Sequence, residues 1–74
     1  MKELIFLGTE TTEFKGTTYN ISTFIDCYNY QILRGTDLEN VDELVKGQPY
    51  LCDLDIKYRS KSKSYVFYVT KVNI

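Results

Sequence analysis

Basic side chains at alternate positions late in the chain form its most informative chemical pattern. No acid interrupts the run, serines lie at positions 60 and 62, and the bases are Lys57, Arg59, Lys61 and Lys63. If this segment stays extended, its bases project from one side about 7 Å apart. Such a row can follow a phosphate backbone, with the serines as hydrogen-bond donors. The alternative is that lysines and serines only keep a hairpin tip soluble and unaggregated.

Exposed aromatic rings are the second requirement for binding single-stranded nucleic acid, because each stacked base contributes about 1–3 kcal/mol. The chain has seven Tyr and four Phe. Phe24 falls among polar residues of a predicted strand, and Tyr28 and Tyr30 flank the turn that follows. We expect Phe24 and Tyr30 to be exposed. Core packing is the better interpretation for three other rings, Tyr19, Tyr50 and Phe67.

Residues suited to catalysis or metal binding are scarce. The chain has no histidine, and Cys27 and Cys52 form no CxxC pair, so we expect no zinc site and two reduced, buried thiols. Asp53 and Asp55 lie two apart and could serve as acid and base, but a solvated strand face explains them better. We therefore predict no enzyme, no catalytic residue, no metal and no cofactor.

Chain length and charge further limit the class of protein. A chain of 74 residues has room for a single domain, 1–74, and buries only about 60% of its unfolded surface. The formal net charge is −1, but the acids concentrate between Asp37 and Asp55, where Lys46 is the one base. The opening MKELIFLGTE is too short an apolar run for a signal peptide, and no run reaches transmembrane length. We expect a cytoplasmic protein that has no membrane partner.

Alternating apolar and polar residues predict five strands. In strand two, Thr17 to about Asp26, the set expected to face the core is Tyr19, Ile21, Thr23 and Ile25. Gly16 is expected to supply a positive φ in the turn before this strand, and Cys27-Tyr28-Asn29 to form the next turn. The other strands are expected at Lys2 to about Thr9, Tyr30 to Arg34, Tyr50 to Tyr58, and Tyr65 to Ile74 with a bulge near Thr70.

One segment, GTDLENVDELVKGQP from Gly35 to Pro49, predicts a short α-helix. Its apolar residues recur at helical spacing, and Thr36 or Asp37 can cap its first turn. Gly47 can take the left-handed conformation that ends a helix. The resulting order of three strands, a helix and two strands matches the OB-fold, a five-stranded, partly open barrel with its helix between strands three and four.

A family resemblance follows from the second half of the chain. From Leu38 to Ile74, LVKGQPY leads into a charged hairpin and the chain closes on YVFYVTKVNI. This pattern resembles the small single-stranded DNA-binding proteins of phages and mobile elements, of which the filamentous-phage protein is the best known. The resemblance implies a role in DNA replication and a possible homodimer. The chain departs from the family in lacking a strongly basic surface.

The resulting hypothesis is a protein that binds single-stranded nucleic acid, DNA rather than RNA, with little sequence preference. Bases would stack on Phe24, Tyr28 and Tyr30, while phosphates would contact Lys15, Arg34, Lys57, Arg59, Lys61 and Lys63. One rival is a protein-binding module or inhibitor that uses the acidic surface from Asp37 to Asp55. Another is an SH3-like structural adaptor, which a coil at residues 37–46 would favour.

Overall fold

The computed structural model describes all 74 residues, Met1–Ile74, as a mostly β protein. Its five strands confirm the predicted number, and β1 and β2 form a longer hairpin than expected. The strands are β1 (Lys2–Phe14), β2 (Thr17–Asp26), β3 (Gln31–Thr36), β4 (Pro49–Arg59) and β5 (Ser64–Asn73), with one 3-10 turn at Val41–Glu43.

All five strands belong to one antiparallel sheet in the order β3-β2-β1-β4-β5. Strands β1, β2 and β3 follow one another, and β4 returns to lie beside β1, which is the Greek-key arrangement. The predicted closure into a barrel is wrong, since β3 and β5 remain the two edges of the sheet. They approach at Gly35, where the Val69 carbonyl lies 2.8 Å from the position of an added Cβ. The Leu38 side chain packs on the same glycine, so side-chain packing replaces hydrogen-bonded closure there.

The predicted α-helix between β3 and β4 is also wrong, because this segment is an irregular loop around the 3-10 turn. Asp37 and Asn40 both have positive φ, 48° and 63°, which interrupts a right-handed helix. Instead of capping, the Asp37 carboxylate accepts a hydrogen bond from the Asn20 amide at 2.9 Å. The Asp37 amide donates to the Asn20 carbonyl at 2.8 Å. A helix this short has little stability of its own, so bonds to β2 prevail.

The apolar residues of this loop still pack against the core. Leu44 is buried, and Leu38 and Val41 pack against the core from its margin. The Tyr50 hydroxyl accepts a hydrogen bond from the Val45 amide at 2.8 Å, which ties the end of the loop to β4. Gly47 has the predicted positive φ, 85°. The coil is the local structure that the SH3-like alternative predicted.

The core lies on the opposite face of β2 from the one predicted. Phe24 is fully buried, and its ring centroid lies 5.4 Å from that of Phe6, its cross-strand partner. Ser22 and Asp26 share this buried face. Their polar atoms are satisfied, since the Ser22 hydroxyl bonds Thr9 at 2.9 Å and Asp26 pairs with Lys2. The eight core residues are Leu4, Phe6, Phe24, Leu33, Leu44, Cys52, Val69 and Val72.

The turns and the β5 bulge agree with the sequence predictions. Lys15 and Gly16 both have positive φ between Phe14 and its partner Thr17, as a two-residue type I′ turn requires. In β5 the pairing passes from Lys71 to Val69, so Thr70 is the extra residue of the predicted bulge. The bulge buries both Val69 and Val72.

Other burial predictions are only partly right. Tyr50 packs against the core as expected. Phe67 is 45% exposed, and Tyr19 is half-buried on the face opposite the core. Neither ring belongs to the core. Cys52 is buried, but Cys27 lies exposed in the β2–β3 turn, and both thiols are free.

Candidate nucleic-acid interface

A groove lies between β3 and the β4–β5 hairpin, on the sheet face opposite the Phe24 core. It has a volume of about 190 Å³. We call it the β3–β5 groove, and its lining residues are Ile21, Ile32, Arg34, Thr36, Lys57, Arg59, Val66, Phe67 and Tyr68. It therefore unites three of the predicted basic residues.

Strand register explains how these bases reach one groove. Arg34 pairs with Thr23 of β2, so both side chains lie on the face opposite Phe24. In the hairpin, Lys57 pairs with Val66, and Arg59 with Ser64. The Thr70 bulge sets the phase of β5 so that Val66 and Tyr68 share a face with Lys57 and Arg59, while Val69 turns into the core.

The groove combines positive charge with aromatic surface. Its lining contains three bases and no acid. The Lys57 ammonium lies 5.2 Å from the centroid of the half-buried Tyr68 ring, in cation–π geometry. Asp55 lies at the margin, where it accepts a long hydrogen bond of 3.5 Å from the Tyr68 hydroxyl. The arrangement can hold an anion next to a flat ring.

A second hollow of about 390 Å³ adjoins the groove through two shared lining residues, Ile21 and Arg34. It contributes Lys46, a base of the segment for which the sequence predicts a helix. The Lys46 Cε lies 3.0 Å from the position of an added Cβ on Gly8, so this lysine crosses β1 where β1 has no side chain. One acid, Glu10, also lines this hollow.

Sequence reasoning missed Lys46 and Tyr68 for different reasons. The position of Lys46 depends on a long-range contact, in which the Gly47 amide donates to the Phe6 carbonyl at 2.8 Å. Tyr68 can be found from the sequence, because alternation along the predicted strand places it on the face opposite Val69.

Several predicted site residues lie outside the groove. Phe24 has no exposed surface, so the exposure predicted for it is wrong and it offers no ring for stacking. Tyr28 and Tyr30 are 96% and 78% exposed, as expected for Tyr30, but Tyr28 lines a separate hollow beside Met1. Lys15 lies at the tip of the β1–β2 hairpin, 5.4 Å from the Phe14 ring centroid.

The predicted extended row of bases ends at Arg59. Residues 60–63 form a turn, and Lys63 has a φ of 52°. Lys61 lines a shallow hollow with Lys57 and Arg59, so it stays near the groove. The expectation of four bases along one extended side is wrong because β4 and β5 are joined by a tight turn within the basic run.

Two groups have perturbed pKa values, and neither lines the groove. The pKa of Asp26 is lowered chiefly by the hydrogen bond from Lys2, and further by the Tyr28 amide, which donates at 2.9 Å. Burial, with a smaller effect of Asp53, raises the pKa of Cys52 to about 11. No three His, Cys, Asp or Glu side chains come together as a metal site.

Comparison of the chain with family models, with curated proteins and with solved structures finds no match. No helix in the structure is long and apolar enough to cross a membrane. A functional assignment therefore rests on the chemistry of the groove.

Proposed function

We propose that the protein binds single-stranded nucleic acid, DNA in the first place, along the β3–β5 groove. The observation that carries the proposal is the convergence of Arg34, Lys57 and Arg59 on a groove that also exposes aromatic surface and has no acid in its lining. Proteins that bind single strands without sequence preference combine a basic groove with rings on which bases stack.

In this proposal the three groove bases contact phosphates, and a base stacks against Tyr68 or the exposed part of Phe67. Lys46 extends the positive surface into the adjoining hollow. Lys15, Lys61, Lys63, Tyr28 and Tyr30 remain predicted contacts for a longer strand, since each lies on an exposed turn. The contacts are to phosphates and ring faces, so they favour binding with little sequence preference.

The topology supports an OB-fold-like assignment. An OB-fold is a five-stranded, partly open Greek-key barrel that binds oligonucleotides around strands two and three and the loop between strands four and five. Here the Greek-key order, the unpaired edges of β3 and β5, and the position of the groove fit that description. The coil in place of the helix is what the SH3-like adaptor predicted, so the groove and not the loop argues for ligand binding.

A protein-binding function is the second candidate, and the acidic loop favours it. Asp37, Glu39, Asp42 and Glu43 are all exposed on one irregular segment. Charge reversal at Asp42 and Glu43 would abolish binding to a basic partner under this alternative. It would not weaken nucleic-acid binding in the groove.

Binding of a labelled oligo-thymidine, measured by fluorescence anisotropy at two salt concentrations, tests the proposal. We expect affinity to fall steeply with salt, with a slope on log axes of about 0.7 per phosphate contacted. Lys57→Gln should reduce both affinity and slope. Lys71→Gln is the matched control, because Lys71 is an exposed base of the same hairpin that lines a different hollow. Weak binding that is insensitive to salt, or equal effects of the two variants, would overturn the proposal.

A further inference from the structure

The β3–β5 groove opens onto a surface that is basic and free of acids on one side only. On the side of the β4–β5 turn it shares Lys57 and Arg59 with a shallow hollow. That hollow also has Lys61 in its lining and contains no acid. A polyanion can therefore approach the groove from the hairpin turn over a series of bases.

Acids lie beyond the other two sides of the groove. Through Thr36 the groove adjoins a hollow of about 400 Å³ whose lining holds Asp37 and Glu39 against one base. In the hollow beside β1, Glu10 accompanies Lys46. A phosphate backbone that continued from the groove into either hollow would meet carboxylates, and like charges repel.

The two sheet edges also meet beside the groove. Gly35 lies between the lining residues Arg34 and Thr36. The Val69 carbonyl lies only 2.8 Å from the position of an added Cβ on this glycine. A strand therefore cannot pass between β3 and β5 at this point. The groove suits the end of a strand better than its middle.

The number of bases in the groove agrees with a strand end. A volume of about 190 Å³ lies below the range of about 300–1,000 Å³ usual for drug-sized ligands, so the groove holds roughly one nucleotide. An internal phosphate carries a single negative charge. A terminal phosphomonoester carries about −1.5 to −2 at pH 7. The three bases Arg34, Lys57 and Arg59 match the terminal group better, and a guanidinium can bind two of its oxygens at once.

We propose that the groove binds the phosphorylated end of a single strand, that is, a terminal phosphomonoester and its adjoining base. The phosphate contacts Arg34 and the hairpin bases, the base packs on Tyr68, and the rest of the strand leaves over Lys61. This inference rests on the proposed function and narrows its ligand from any segment of a strand to an end. A free nucleoside monophosphate has the same chemistry but lacks the further phosphates that Lys61 would contact.

Competition against a labelled oligo-thymidine, followed by fluorescence anisotropy, tests the inference. The competitors are oligo-thymidine with a 5′-phosphate, with a 3′-phosphate and with hydroxyl ends, and thymidine monophosphate. We expect one phosphorylated end to tighten binding at least about tenfold over the hydroxyl-ended oligomer, as one added charge-assisted contact would. Thymidine monophosphate should bind more weakly than the phosphorylated oligomer.

A pH series tests whether the charge of the phosphate is the cause. The second pKa of a phosphomonoester is about 6, so going from about pH 7.5 to about pH 5.5 removes one of its charges. The charged and titratable groups at the groove are Arg34, Lys57, Arg59 and Tyr68, with Asp55 at its margin. The chain has no histidine, the side chain that ordinarily titrates in this range. The advantage of the phosphorylated end should shrink in acid, and a constant advantage would contradict the proposal.

Two exposed bases supply the variants. Arg34→Gln should remove the advantage of the terminal phosphate, whereas Lys71→Gln, outside the groove, should preserve it. Equal binding of phosphorylated and hydroxyl-ended oligomers, with steep salt dependence, overturns the inference and leaves the proposed function standing. An advantage that survives Arg34→Gln also overturns it. If thymidine monophosphate competes as well as the phosphorylated oligomer, the ligand is a free nucleotide and the strand-end assignment is wrong. If no oligomer binds, the proposed function fails as well.

Discussion

The β1–β2–β3 part of the sheet buries polar side chains, whereas the β4–β5 hairpin exposes apolar ones. Beside Phe24, two polar residues, Ser22 and Asp26, are buried with their hydrogen bonds made. On the hairpin, apolar Ile56 and Tyr65 extend into solvent. Buried polar groups that are fully hydrogen-bonded stabilise a unique fold, whereas exposed apolar side chains contribute little to its stability. The core around Phe24, to which β4 and β5 also contribute Cys52, Val69 and Val72, therefore holds the fold, and the outer part of the hairpin supplies binding surface.

Removing a ring from each region gives the largest expected contrast. Phe24→Ala should lower the free energy of unfolding by about 3–5 kcal/mol, because it leaves a cavity in the core. That is a large fraction of the stability expected for a chain of this size, which is on the order of 4–11 kcal/mol. Tyr65→Ala should cost less than about 1.5 kcal/mol, the value of its contact with Tyr58. Urea unfolding at low protein concentration measures both, and equal losses would break the comparison.

The ion pair between Asp26 and Lys2 predicts a smaller effect on the free energy of unfolding, and one that depends on pH. The folded pKa of Asp26 lies below its unfolded value, so the pair stabilises the fold above about pH 4 and this contribution is lost as pH falls further. The difference in unfolding free energy between wild type and Asp26→Asn should therefore shrink in acid. Urea melts across this pH range measure it, and a difference that stays constant would contradict the assignment.

The two thiols provide the most local test. Cys52 is buried with a pKa of about 11, whereas Cys27 is exposed. A thiol reagent at neutral pH should modify one cysteine quickly in the native protein and both after denaturation, because the thiolate is the reactive form. Cys27→Ser should remove the fast phase. Fast modification of Cys52 in the native state would show that the core opens on the timescale of the reaction.

Local patterns predicted the elements that depend on neighbouring residues. The bounds of β2, the Lys15-Gly16 turn and the bulge at Thr70 all follow from alternation and turn chemistry. The face of β2 could not be predicted in this way. The more apolar residues of β2 lie on the face opposite the core. The reason is that Phe24 packs against its cross-strand partners Phe6 and Leu33, and Asp26 forms an ion pair with Lys2 of β1. Neither the ring packing nor the ion pair can be predicted from the periodicity of the sequence.

The candidate site was predictable to a similar degree. Alternate spacing predicts Lys57 and Arg59, the OB-fold order predicts Arg34, and the structure brings all three to one groove. The predicted helix failed because the cap at Asp37 bonds to Asn20, which is distant in sequence. The place of Lys46 over Gly8 likewise depends on the contact of the loop with β1. Long-range hydrogen bonds account for these differences.

Chemical-shift mapping by NMR, with an oligo-thymidine titrated into the labelled protein, tests the central claim most directly. We predict that the backbone amides of Arg34, Lys57, Arg59 and Tyr68 shift the most, and that the acidic loop from Asp37 to Glu43 stays unperturbed. Perturbations centred on the acidic loop, or none at all at protein concentrations on the order of 100 μM, would contradict a nucleic-acid interface in the β3–β5 groove.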